Sequence, residues 1–132
     1  MRRYLLLGLL ALGLAMPAMA QRSGGSGAAP AATIQVRSGT YAVQGRDSAG
    51  TAYEGAAQLV ATGPTTWRVT WRVGGETANG VGIAVGDALI VGYVSGRETG
   101  VVIYGMEPNG NLTGVWTQGP DGGVGAETLM PR

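Results

Sequence analysis

Apolar and polar residues alternate with a period of two through most of this chain. The clearest stretch is 66–73, TWRVTWRV, in which tryptophan and valine share one face while threonine and arginine share the other. Successive side chains of a β-strand point to opposite faces, so the stretch predicts a half-buried strand whose register is fixed by the pattern. The 3.6-residue period of an amphipathic helix is not evident in the domain. The alternation therefore predicts an all-β fold.

Seven further stretches alternate in the same way and are separated by turn residues. Gly74-Gly75 and Asn109-Gly110 supply the positive φ that tight hairpin turns require. Strands recur about every 10 to 12 residues, a spacing typical of a sandwich or barrel. The predicted strands cover residues 40–45, 52–62, 66–73, 77–85, 88–95, 101–107, 111–118 and 124–130.

Short connections between eight short strands predict an up-and-down antiparallel β-barrel of the avidin or lipocalin type, because closing the sheet removes both exposed edges. The alternative is a two-sheet sandwich, which usually needs a long crossover connection. An outer-membrane barrel is disfavoured, since its strands need about 9 to 11 residues with an apolar outward face. Most predicted strands are shorter, and arginine and threonine lie opposite the tryptophans.

The first twenty residues have the layout of a secretory signal peptide. Arg2 and Arg3 precede an apolar run over 4–16, and Ala18-Met19-Ala20 is a small-residue cleavage site. The run is shorter than the roughly 18 to 20 residues that span a bilayer. We therefore predict Sec-dependent export with cleavage after Ala20, a periplasmic or secreted location, and no stable membrane insertion after cleavage.

A linker rich in Gly, Ser, Ala and Pro is predicted over 21–38, followed by the barrel domain over 39–132. Residues 21–32 contain no large apolar side chain, so burial cannot offset their ordering entropy. Cleavage after residue 20 leaves seven Arg against eight Asp and Glu, a net charge of −1. A nearly neutral domain lacks the basic surface typical of nucleic-acid binding.

Missing residue types exclude several chemistries. The chain has no Cys, no His and no Lys, which removes thiolate, imidazole and Schiff-base catalysis as well as the commonest ligands of transition metals. Each Asp lies in a glycine-containing turn, where it is expected to bond its own backbone. The glutamates are scattered along the chain. We therefore predict a non-enzymatic protein with no cofactor and no metal site.

Aromatic and arginine side chains are the remaining candidates for binding. The aromatic residues could line a ligand cup or fill the core. Arg68 and Arg72 share the outer face of one predicted strand and could grip a partner or form cross-strand ion pairs. The candidate ligand-binding residues are Trp67, Trp71, Tyr93, Tyr104 and Trp116.

Glycines within the predicted strands require a separate explanation, because strand glycine weakens a sheet unless it permits a bend or a close approach. They could allow tight coiling or let an aromatic ring lie flat, or they could leave room for a ligand. These glycines are Gly80, Gly82, Gly92, Gly105 and Gly114.

The stretch 39–132 resembles a group of small exported bacterial proteins, most of them uncharacterised and some labelled fibronectin-binding. The resemblance implies an exported β-rich fold and assigns no catalytic or binding residue. Gly114 and Trp116 are also spaced as in strands of avidin-like barrels, without a recognisable set of biotin-contacting residues. The motifs of the first resemblance are WRVTW (67–71), GVGI (80–83), GDAL (86–89), GVVIY (100–104), GNLTGVW (110–116) and ETL (127–129).

These features together predict an exported binding module that recognises a protein or envelope component through the barrel surface. One alternative is a binder of a small ligand in the barrel cavity. A second is a periplasmic hydrolase inhibitor that uses residues 21–32 as an arm, since exported avidin-like protease inhibitors are similar in size and use a flexible N-terminal arm.

Overall fold

The computed structural model describes residues 33–132, which form eight β-strands. In this part of the chain there is no helix long and apolar enough to cross a membrane. The strands are β1 (Gly39–Arg46), β2 (Ala52–Ala61), β3 (Thr66–Val73), β4 (Glu76–Val85), β5 (Ala88–Ser95), β6 (Glu98–Met106), β7 (Leu112–Gln118) and β8 (Gly125–Pro131).

The strands form one closed sheet in sequence order. Each strand pairs antiparallel with its neighbours in the chain, and β1 closes the barrel by pairing with β8, where Val43 lies opposite Leu129. The predicted up-and-down barrel is confirmed, and the sandwich alternative is wrong because no second sheet exists among these strands. The largest boundary difference is in β6, which begins at Glu98, three residues before its predicted start.

Tight turns have the chemistry that the sequence indicated. Gly74 and Gly75, between β3 and β4, have φ of 60° and 96°, values that residues with a Cβ rarely adopt. In the β1–β2 turn, Asp47 Oδ1 accepts hydrogen bonds from the backbone N–H groups of Ala49 and Thr51, both at 2.9 Å. This aspartate therefore stabilises its own turn, as predicted.

One end of the barrel is closed by packed apolar side chains. We call it the closed end; it carries the β2–β3, β4–β5 and β6–β7 turns. Ile34 and Val36 pack against the core there, and the Ile34 N–H donates a 2.7 Å hydrogen bond to the Gly86 carbonyl. Four leucines in this half of the interior have no solvent-exposed surface: Leu59, Leu89, Leu112 and Leu129.

Only some of the predictions for the N-terminal region fall on residues that the structure describes. The signal peptide (1–20) and residues 21–32 of the predicted linker lie outside the described residues. Residues 33–38 adopt no regular secondary structure, yet two of their side chains pack against the core. The packed domain therefore includes residues before the predicted boundary at 39.

The outer surface differs between the two sides of the barrel. On β3 the outward residues are polar, as the sequence predicted. On β4–β7 the outward residues Ile83, Ile90, Ile103 and Val115 are successive cross-strand neighbours and form a continuous apolar row. Between 46% and 54% of the surface of Ile83, Ile103 and Val115 is exposed. The polar outer face of β3 does not extend to this side.

Candidate functional site

The other end of the barrel opens into a cavity of about 240 Å³. We call it the open end; it carries the β1–β2, β3–β4, β5–β6 and β7–β8 turns. Its walls include four aromatic side chains, Tyr53, Trp71, Tyr93 and Trp116. The remaining lining residues are Asp47, Val73, Glu76, Ala78, Ser95, Val102, Gln118 and Glu127.

Glu127 is a buried carboxylate at this cavity. Its position on β8 lies between Gly125 and Leu129, both inward-facing, and only 9% of its surface is exposed. Oε1 accepts a 2.9 Å hydrogen bond from the Tyr53 hydroxyl. Oε2 accepts one from Trp71 Nε1 at 3.0 Å and another from the Tyr104 hydroxyl. Three donors from three strands therefore converge on one side chain.

A second layer of hydrogen bonds fixes these donors. Trp116 Nε1 donates to the Tyr53 hydroxyl at 2.9 Å, and Trp71 Nε1 also lies 3.2 Å from the Tyr104 hydroxyl. On the opposite wall, the Tyr93 hydroxyl donates to Gln118 Oε1 at 3.1 Å. Because polar side chains satisfied in this way resist rotation, the open half of the barrel has a defined shape without being filled.

Burial controls the protonation of the network. Removal from water raises the pKa of Glu127, although hydrogen bonds from Tyr104, Tyr53 and Trp71 act in the opposite direction. Burial, followed by the nearby Glu127, raises the pKa of Tyr53 and Tyr104, and raises that of Tyr93 to about 12. The tyrosines therefore stay protonated near neutral pH and remain donors.

The raised pKa of Glu127 predicts an unusual pH dependence of stability. The folded protein keeps the Glu127 proton at a pH where the unfolded chain has already released it. The stabilisation linked to the Glu127 proton is therefore fully present below its usual pKa of 4.5 and is lost as the pH rises through the raised value, while the hydrogen bonds that the carboxylate accepts remain. We expect the unfolding free energy of the wild type, measured in urea, to fall with pH between about pH 4 and about pH 8 relative to that of Glu127→Gln. The slope of unfolding free energy against pH should therefore be less negative for Glu127→Gln than for the wild type. Identical slopes would show that folding does not raise this pKa.

Two of the other acids lie at the rim of the cavity. Asp47 and Glu76 line it together with Glu127. Asp47 belongs to the turn described above. Within residues 33–132, no group of three or more acidic side chains is arranged to hold a metal ion.

Glycine positions determine where the aromatic walls can lie. A Cβ atom built at Gly45 would collide with the Tyr53 ring, and one built at Gly100 would collide with the Tyr93 ring. A Cβ at Gly125 would collide in the same way with Trp116. The expectation that strand glycine lets a ring lie flat is therefore correct at these three positions.

Of the five glycines that the sequence singled out, Gly114 also has a ring against it and the other four do not. A Cβ at Gly80 or Gly82 would meet Val91, and one at Gly114 would meet the Ile103 carbonyl and the Tyr104 ring. A Cβ at Gly92 or Gly105 would meet no atom within 4 Å. None of the five lines the cavity, so the interpretation that they leave room for a ligand is wrong for this site.

The predicted ligand-binding residues separate into three groups. Trp71, Tyr93 and Trp116 line the cavity. Tyr104 is fully buried beneath it and acts through Glu127. Trp67 does not line the cavity: its strand position is at the closed end, and 8% of its surface is exposed. Position along the strand explains the difference, because Trp67 and Trp71 share a face but lie four residues apart on β3, near opposite ends of the barrel.

Arg68 and Arg72 are exposed on the outer face of β3, as predicted. Their cross-strand neighbours carry no charge. Arg68 lies between Val60 and Val81, and Arg72 lies between Ala56 and Thr77. Neither arginine therefore has a directly opposed carboxylate, and the expectation that they pair with acids on adjacent strands stays a prediction.

The centre of the site was not predicted from the sequence. Glu127 was noted only as one of several scattered acids, Tyr53 only as one of the tyrosines that could line a cup or fill the core, and Gln118 was not singled out. A signal for Glu127 was present: in the sequence Gly125-Ala126-Glu127-Thr128-Leu129 it has the same parity as the leucine. An acid at an inward position must find donors or be protonated, which marks it as unusual. No local pattern indicated that Tyr53 donates to Glu127, because the two residues are 74 positions apart in the sequence.

Comparison with known proteins shows the fold alone. No family model matches the chain, and no curated protein is significantly similar to it. A redesigned β-barrel is similar in structure, with a TM-score of 0.66 and 17% identity over 75% of this chain and 98% of that one. A de novo designed fluorescence-activating β-barrel has a TM-score of 0.60 and 14% identity over 75% of this chain and 96% of that one. Both are eight-stranded barrels, and the chain shares that fold with them.

Proposed function

We propose that the barrel binds a small organic molecule in the cavity at its open end. The observation that carries this proposal is the buried Glu127 carboxylate at an open cavity, held by three hydrogen-bond donors and surrounded by aromatic walls. Small-molecule sites are typically concave and mostly apolar, with a few polar groups that orient the ligand. The surface-recognition prediction becomes the second candidate.

The unfilled half of the barrel supports this function over a purely structural network. A barrel of eight strands can be filled entirely by side chains, as the closed end of this one is. At the open end three inward positions are occupied by glycine, and the rings that cover them lie against the wall. The space that remains, about 240 Å³, is slightly smaller than the roughly 300 to 1,000 Å³ typical of sites for drug-sized ligands, which suits a smaller molecule.

Binding can be tested by the fluorescence of the cavity tryptophans. We propose titrating the protein with a panel of small aromatic molecules and fluorogenic dyes, the latter suggested by the name of the similar fluorescence-activating barrel. Ala78→Leu should block the cavity and weaken binding at least about tenfold, because Ala78 lines it. Thr77→Leu is the matched control, since its neighbouring position faces outward. Equal affinity of both variants, or no binding by any probe, would reject the proposal.

A second candidate function is recognition of a protein or envelope component by the outer surface. Arg68 is the direct cross-strand neighbour of Val81, which is 72% exposed, so Arg68 borders the apolar surface of β4, and Arg72 lies four residues further along the same face of β3. An apolar surface bordered by cations complements an apolar protein surface bordered by carboxylates. Such a protein is the partner that this candidate commits to.

The test compares variants in cross-linking experiments on the native envelope. Arg68→Ala with Arg72→Ala should reduce cross-linking to one defined protein, as should Ile103→Ser, while Ala78→Leu should leave it unchanged. If every variant is cross-linked to the same proteins in equal amounts, the surface does not recognise a specific partner.

The predicted export and lack of catalysis belong to the same proposal. We propose that the protein is exported by the Sec route, loses residues 1–20, and binds its ligand without transforming it. Mass spectrometry of the mature protein should find Gln21 as its first residue. The inhibitor alternative requires residues 21–32, so inhibition of a periplasmic hydrolase that persists after their deletion would reject the arm.

A further inference from the structure

The charge of the cavity indicates which ligands it favours. Three carboxylates line it, Asp47, Glu76 and Glu127, and none of the lining residues in the described part of the chain is basic. Carboxylates in a concave, low-dielectric site focus a negative potential on the space between them. A cationic ligand is therefore attracted to the cavity, and an anionic ligand is repelled.

Glu127 has accepting capacity to spare. A carboxylate has about four acceptor positions, of which three are occupied here. Two of those hydrogen bonds fall on Oε2, while Oε1 receives only the one from Tyr53. One acceptor position on Oε1 is therefore left for a donor in the cavity.

The aromatic walls provide the second element of cation recognition. The ring centroids of Trp71 and Tyr93 are 5.3 Å apart at an interplanar angle of 56°. Those of Tyr53 and Trp116 are 6.3 Å apart at 63°. Tilted pairs of this kind present electron-rich ring faces to the space beside them, and such faces attract ammonium groups.

We propose that the ligand is an organic ammonium ion, a primary or secondary amine with an apolar body, whose N–H donates to Oε1 of Glu127 between the aromatic walls. This inference rests on the proposed cavity function and specifies its ligand class. A quaternary ammonium ion lacks the N–H donor and fits less well. The apolar body contacts Val73, Ala78 and Val102, which line the same cavity.

Isosteric probes separate charge from shape. Phenethylamine, phenethyl alcohol and phenylacetate have similar apolar bodies but are cationic, neutral and anionic near about pH 8. We expect calorimetry to show binding of the amine at least about tenfold tighter than the alcohol, and no binding of phenylacetate. The affinity of the neutral alcohol reports on binding by the cavity without any contribution from ligand charge. It therefore tests the proposed function independently of the inference about charge.

Two further measurements assign the charge effect to Glu127. Glu127→Gln should weaken amine binding at least about tenfold and leave the affinity for the alcohol within about twofold. The matched control is Glu107→Gln, an exposed acid at the closed end, which should change neither affinity.

The wild type offers a test that does not depend on folding of a variant. Protonation of Glu127 removes its charge and uses an oxygen as a donor, so amine affinity should fall with decreasing pH while alcohol affinity stays constant. The titratable groups near Glu127 inside the barrel are Tyr53 on β2, Tyr93 on β5 and Tyr104 on β6, together with Asp47 and Glu76 at the rim. Arg46 on β1 and Glu54 on β2 line a separate depression that Glu127 also borders. The tyrosines do not titrate in this range, and Glu127→Gln separates the effect of Glu127 from that of the rim acids.

The outcomes are distinguishable. If the alcohol binds as tightly as the amine, the cavity binds ligands but the inference about charge is wrong. If neither binds and the dye panel also fails, the proposed function fails with it. If the amine binds equally to the wild type and to Glu127→Gln, the amine is not held by this carboxylate and the inference is overturned.

Discussion

Replacing Glu127 by leucine should destabilise the barrel by about 3 to 5 kcal/mol. Leucine is similar in volume, so the change removes the acceptor without creating a large cavity. It leaves the Trp71 N–H and the Tyr104 hydroxyl without their shared carboxylate oxygen in the buried interior, and it leaves the Tyr53 hydroxyl without its acceptor. Each unsatisfied buried donor costs about 1 to 3 kcal/mol, and water from the open end can relieve part of this cost. Urea unfolding of the two proteins near neutral pH measures the difference.

The control for this prediction is Glu107→Leu, because Glu107 is exposed in the β6–β7 connection. Its effect should lie within about 0.5 kcal/mol of zero. If the Glu127→Leu protein is at least as stable as the wild type, the buried carboxylate does not stabilise the fold. That result would contradict the stabilising role of the network while strengthening the argument that Glu127 is kept for binding.

Leu59→Ala should destabilise the protein by about 2 to 5 kcal/mol through a different mechanism. Leu59 lies in the middle of the closed end, opposite Gly39 on β1 and Val69 on β3, and has no exposed surface. The strands around it form a closed sheet, so they cannot collapse into the space that the side chain leaves. Most of the cavity cost therefore remains. Thermal or urea unfolding provides the measurement.

Gln58→Ala is the neighbouring control, since Gln58 is exposed on the outer face of the same strand. It should change the free energy of unfolding by no more than about 0.5 kcal/mol. A loss of less than about 1 kcal/mol in Leu59→Ala would show that the closed end is loosely packed and rearranges to fill the gap. Ligand binding at the open end should persist in Leu59→Ala wherever that variant remains folded.

The strands could be predicted from the sequence because alternation and turn residues are signals that lie within a few positions of each other. Alternation over 66–73 fixed which face of β3 points inward, and glycine pairs such as Gly74-Gly75 fixed the turn that follows. Short turns then allowed only hairpins between neighbours, from which the barrel order followed. The same alternation applied to 124–130 indicates that Glu127 points inward, although the sequence reading did not use it.

Local rules were not sufficient for the site, because its contacts join distant parts of the chain. Tyr53 and Trp116 are 63 residues apart, and Trp71 and Glu127 are 56 apart, yet both pairs are hydrogen-bonded. The stagger of the strands decides which inward residues share a level along the barrel axis. That stagger places Trp71 at the open end and Trp67 in the packed half, although the sequence gives them the same environment.

The sequence by itself determined the class of fold, the order of the strands, and the chemistries that the chain cannot perform. Those features depend on side-chain parity, turn residues and missing residue types, each of which can be read within a few positions. Only the tertiary structure decided that one half of the interior is filled while the other is open, and that Glu127 meets three donors at the boundary. Barrel closure and register bring those side chains together, and these arise from pairing across the whole sheet rather than from any single segment.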